Sequence, residues 1–101
     1  MSSRIDEILE ETLAKNPSLY KKFLSLYHNE QTSQFKFSHV NDLEEHIQKR
    51  MNVTKGEALV IKLFCSLFHD YPLPMSLMKV YDNLDKQNSR ICGAALKLAF
   101  D

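Results

Sequence analysis

Apolar residues recur at helical spacing along nearly the whole chain, and they are densest from Thr54 to His69, TKGEALVIKLFCSLFH. Wound as a helix, this run spreads Ala58, Leu59, Val60, Ile61, Leu63, Phe64, Cys65, Leu67 and Phe68 over most of the circumference. Only Lys55, Lys62, Ser66 and His69 share a narrow polar stripe. Such a helix leaves water only if neighbours wrap it, so it is predicted to sit at the centre of the fold. Thr54-Lys55-Gly56-Glu57 opens it as a capping box. There the hydroxyl and the carboxylate each satisfy a backbone N–H that the first turn orphans.

The shorter elements on either side read as the wrapping. A first helix over about Ser3–Lys15 carries a stripe of Ile5, Ile8, Leu9 and Leu13. Asp6, Glu7, Glu10 and Glu11 face outward, and Ser3 is its cap. Asn16-Pro17 stops this helix and starts the next, because proline at the first helical position gives up an N–H that has no partner there. The second helix, about Ser18–His28, gathers Leu19, Tyr20, Phe23, Leu24, Leu26 and Tyr27 into a broad aromatic arc. The short link makes the two a hairpin.

From Glu30 to Val40 the helical period disappears. Phe35-Lys36-Phe37 alternates as a strand would, but three residues do not make a sheet, so an extended loop with room for one bridge is expected. A thin stripe of Leu43, Ile47 and Met51 marks an outer helix over about Asn41–Met51, capped by Asn41 or Asp42. After the central helix, DYPLP forbids continuation at Asp70 to Pro74. Met75 to Leu84 is amphipathic through Leu77, Val80, Tyr81 and Leu84, with Ser76 as cap. Asp85 then caps a last helix reaching Phe100, where Ile91, Cys92, Ala94, Ala95, Leu96, Leu98 and Ala99 leave Arg90, Gly93 and Lys97 outside. The small cluster Gly93-Ala94-Ala95 predicts a close crossing with the central helix. The expected fold is all-α: one domain, 1–101, a compact bundle of five or six short helices around residues 54–69, with one extended loop near 30–40.

Composition narrows the function. Basic and acidic residues number 13 each, so the chain lacks the positive field that nonspecific nucleic-acid binding requires. Zero net charge also weakens the repulsion between copies and leaves a homodimer open. No apolar run approaches the ~18 residues of a membrane span, and the acidic amphipathic start is unlike a secretory signal, so no membrane partner is expected. Cys65 and Cys92 both lie in apolar helical patterns. They are expected as buried free thiols in a reducing compartment, which implies a cytoplasmic address.

The last forty or so residues resemble a domain in small uncharacterised proteins of phages, plasmids and other mobile elements. The features that carry the resemblance are Leu67-Phe68, Pro74, Ser76-Leu77, and Leu84-Asp85 opening a helix with Cys92 and Leu96. This chain lacks the glycine of that pattern in the turn after the aromatic residue, and its turn before Leu84 is longer. The first fifty residues are not covered. The resemblance transfers no site and implies no activity; it implies an accessory protein acting on something else.

Cys65 and His69, four apart on one helical face, have a spacing that chelates zinc, with Cys92 and one of His28, His39 or His46 to complete it. No paired metal motif accompanies them, so no metal and no cofactor are expected. Cys65 lies in an apolar arc that quiets a thiol, and His69 caps its helix where the dipole favours a partly cationic ring. There is no glycine-rich phosphate loop and no carboxylate pair on a plausible cleft wall, and the chain is not expected to be an enzyme. A helix-turn-helix reading puts Lys86, Gln87, Asn88 and Arg90 at the start of the last helix, residue types that read base edges or hold a phosphate. That DNA-binding reading is the alternative. The preferred one is a noncatalytic protein-interaction module, an adaptor or inhibitor-like accessory protein. Phe35 and Phe37 are expected to tuck into the core; if they lie exposed instead, Phe35, Lys36, Phe37 and His39 of the irregular segment are the contact residues for the expected protein partner.

Overall fold

The computed structural model describes residues 4–28, 34–73 and 75–100. Six α-helices run in order: α1 (Arg4–Glu11), α2 (Pro17–Leu24), α3 (Val40–Lys49), α4 (Lys55–His69), α5 (Leu77–Asp82) and α6 (Lys86–Phe100), with a 3-10 turn at Leu13–Lys15 between the first two. The protein is all-α. Among the described residues the one β-type pairing is an isolated antiparallel bridge between Tyr27 and Phe35.

Helix α4 supplies the largest share of the interior: Leu59, Val60, Ile61, Leu63, Phe64 and Cys65 are all buried. Around them lie Ile8 and Leu9 of α1, Leu13, Leu19 and Phe23, Leu43 and Ile47 of α3, and Ile91, Cys92 and Ala95 of α6. Helix α6 packs on both α4 and α1. Arg4 joins the start of α1 to the end of α6 by donating to the carbonyl of Leu98 at 2.6 Å, one of the terminal carbonyls a helix cannot satisfy by itself. Cys65 and Cys92 are free and buried, as the apolar patterns around them predict. No described helix is long and apolar enough to cross a membrane.

Local signals set most boundaries. The Thr54 hydroxyl accepts from Glu57 N–H at 3.1 Å and the Glu57 carboxylate accepts from Thr54 N–H at 2.9 Å, completing the capping box. Asn16 accepts from Leu19 N–H, Ser76 from Lys79 N–H and Asp85 from Asn88 N–H at 2.7 Å.

Several expected boundaries give way to competing hydrogen bonds. The first helix does not run on to Lys15: the Thr12 hydroxyl donates to the carbonyl of Ile8 at 2.6 Å, and the chain tightens into the 3-10 turn. Such back-bonding competes with the helical ladder. Ser3 lies outside the described residues. Helix α2 stops at Leu24, four residues short of His28, because the next backbone groups are taken by the loop. His28 N–H donates to Gln34 at 2.8 Å, and Lys36 N–H donates to Leu26 at 2.9 Å. Helix α3 is led by His39 in extended geometry without a side-chain cap, not by Asn41 or Asp42.

The central helix ends on Asp70, which takes a left-handed conformation at φ 60°. Aspartate tolerates this region better than most residues, and here it fills the place a glycine usually takes. On α6, Ala94 is exposed. A Cβ added at Gly93 would meet only the Tyr81 hydroxyl, at 3.7 Å. Of the Gly93-Ala94-Ala95 cluster only Ala95 is fully buried, and no described atom approaches Gly93 closely enough to require a glycine there.

Candidate functional site

Two places combine unusual chemistry with access to solvent. The first is an aromatic seam where the chain after α2, the loop, and the end of α4 meet. Its centre is His69, in the last turn of α4. The Phe35 ring stacks on the imidazole with centroids 4.0 Å apart, and the Tyr27 hydroxyl meets Nε2 at 2.5 Å. Phe35 also lies edge-on to Tyr27 at 5.1 Å and 5.7 Å from Phe37, while Phe37 leans on His46 at 5.0 Å. Tyr71 donates its hydroxyl to the carbonyl of Phe37, closing the loop over the seam.

Burial controls the protonation of these groups. Desolvation lowers the His69 pKa below its ordinary 6.5 and raises that of Tyr27. The pair is therefore neutral near pH 7, with the phenol donating and Nε2 accepting, which requires the Nδ1–H tautomer. His69 is thus not the partly cationic helix terminus the dipole alone suggests. Half-burial under an aromatic ring outweighs a fraction of a charge at the helix end. His46 is lowered as well, by burial first and then by Lys36 and Arg50.

Cys65 and Cys92 are pushed up to about 12 by burial, which leaves both as inert thiols at neutral pH. Among the described residues no three histidine, cysteine or acidic side chains come together as a metal site.

The second place is a half-open groove of about 530 Å³ between α3 and the first two turns of α4. Its apolar floor is Ile47, Met51, Val53, Ala58, Leu59 and Met75. Gln48, Thr54, Lys55, Lys62 and Asn83 form the polar rim. Beyond Met75 the chain exposes Leu77 and Met78, the latter 75% accessible.

Phe35 and Phe37 are half-buried and packed on the core, whereas Lys36 and His39 are exposed. The two rings are thus occupied within the fold, and the loop offers a partner chiefly its polar side. Lys86, Gln87 and Arg90 are exposed at the start of α6, but Asn88 is buried, with its side-chain oxygen unbonded. Three of those four residues therefore face outward, and Asn88 does not present its amide to a nucleic-acid groove.

The groove itself went unmarked in the sequence. Its one signal was Met51 and Val53, apolar residues flanking the exposed Asn52 between two helices, where a solvated link needs neither.

The chain matches no family model, no curated protein and no solved structure.

Proposed function

We propose that this protein is a noncatalytic protein-interaction module, an adaptor or inhibitor-like accessory protein, that receives a protein partner in the groove between α3 and α4. The observation that carries this reading is the half-open groove itself, in which the half-buried Met51, Val53, Ala58 and Met75 lie over the buried Ile47 and Leu59. Contiguous apolar surface with a polar rim is the usual anatomy of a contact site. Met51 and Met75 contribute unbranched, adaptable side chains of the kind that repack around a partner. The aromatic seam supports the same reading indirectly: its histidine and tyrosine are tied to each other and to packing, rather than poised toward a cleft.

The test compares the full chain with Ala58→Arg, which fills the groove from its floor, and with Lys86→Ala plus Arg90→Ala. A host protein retained by the wild type and by the α6 double variant, but lost with Ala58→Arg while the fold is intact by circular dichroism, supports the module. A salt-dependent shift of duplex DNA that disappears only with the α6 variant favours the DNA reader and rejects it.

A further inference from the structure

The groove has a charge bias that the molecule as a whole lacks. The chain carries equal numbers of acidic and basic residues, yet the groove's lining contains two lysines and no carboxylate. Lys55 and Lys62 are seven residues apart on α4, two helical turns or about 10 Å along its axis. Between them, three and four residues from Lys55, Ala58 and Leu59 contribute to the floor. A cation, an apolar pair and a second cation thus stand in line on one helical face.

Lys55 is exposed and makes no ion pair among the described residues. Lys62, its side chain 19% exposed, lies 3.9 Å from Glu44 of α3, a long ion pair. A half-open trough suits a polymer segment better than an enclosed small molecule, which would need most of its surface covered.

We infer that the groove takes an acidic amphipathic helix from a protein partner, one that presents two carboxylates about seven residues apart on either side of a pair of large apolar residues. This rests on the interaction-module reading and deepens it. The apolar pair settles over the half-buried Met51 and Ala58, and the carboxylates meet Lys55 and Lys62 at the rim, where charge sets register and encounter rate. A second copy of this chain is a poor occupant. Its acidic amphipathic helices, α1 and α3, have already buried Ile8, Leu9, Leu43 and Ile47 in their own core. Glu44 acts against the ligand as a built-in competitor for Lys62.

The test displays random peptides about four helical turns long and selects them on the immobilised full chain. The best binder is then measured by fluorescence anisotropy against variants. Enriched peptides with net negative charge and a paired apolar anchor are expected. Lys55→Glu should weaken the best of them about fivefold, and Glu44→Gln should tighten it about twofold by releasing Lys62. Lys55→Glu places an acid at the start of α4, where the dipole favours it, so weaker binding does not reflect a weaker fold.

Enrichment of neutral or basic peptides that still need Ala58 would overturn the acidic partner while leaving the interaction module standing. Peptides that bind Ala58→Arg equally well, or no enrichment at all, would overturn both. A concentration-dependent dimer in sedimentation that Lys55→Glu dissolves would assign the groove to a second copy instead.

Discussion

The phenolic hydroxyl of Tyr27 and Nε2 of His69 lie 2.5 Å apart, joining the end of α2's turn to the last turn of α4 across 42 residues of sequence. This bond, roofed by Phe35, fixes where the irregular segment crosses the central helix. Tyr27→Phe keeps the ring packing on Phe23 and Phe35 and removes only the donor. A cost of about 1 kcal/mol is expected, read as a lower urea midpoint with an unchanged slope.

The same histidine makes stability depend on pH in a definite direction. Its folded-state pKa is below the ordinary 6.5, so across that interval the unfolded chain binds the extra proton. Stability is then fully present above about 6.5 and is lost as pH falls through 6.5 toward the folded value. His69→Gln retains an acceptor for Tyr27 but does not titrate. The difference in unfolding free energy between wild type and variant should therefore move against the wild type between about pH 7.5 and pH 5. An unchanged difference would contradict the burial of the ring. His46 shifts in the same direction, but it is present in both proteins and cancels in this difference.

Phe35→Ala plus Phe37→Ala is expected to damage the fold rather than act as a clean surface change. Both rings pack on the core, and Phe35 meets Tyr27, Phe37, His69 and Tyr71. Full burial would make each truncation cost 3–5 kcal/mol, so half-burial implies about 2 kcal/mol apiece. Thermal denaturation should show a large drop in midpoint. A normal midpoint with loss of a bound partner would return the contact site to this loop.

Gly93→Ala should stabilise the protein. The added methyl reaches only ordinary contact with the Tyr81 hydroxyl, and alanine in a helix interior is better than glycine by about 0.5–1 kcal/mol. A rise in thermal midpoint checks it; a fall would mean α6 approaches its neighbour more closely than described.

Thr54→Ala should cost about 1 kcal/mol by opening the capping box, with little change in the core below it. Hydrogen exchange is the sharper measurement. Protection should drop at the first turn of α4 and persist at Phe64 and Cys65, which lie fully buried two turns further on.

The central helix, its cap and its burial were legible in the sequence because each depends on residues within a few positions of one another. Thr54 and Glu57 find each other through local geometry alone. A run with Leu59, Val60, Ile61, Phe64 and Cys65 packed so closely has no solvated alternative. The same holds for Asn16, Ser76 and Asp85 at their helix starts.

Tertiary structure decided the rest, and each case involves partners far apart in sequence. Helix α2 yields at Leu24 because Gln34 and Lys36 compete for the following backbone groups. His69 is neutral, not cationic, because Phe35 covers it and Tyr27 donates to it. Phe35 and Phe37 turn inward although their alternating pattern permits either side. The groove depends on how α3, the link through Val53 and Met75 pack around Ala58, which they leave half-buried. Helical periodicity specifies which face of a segment must leave water, but not whether its neighbours cover all of that face, since coverage depends on how separately formed elements pack against one another.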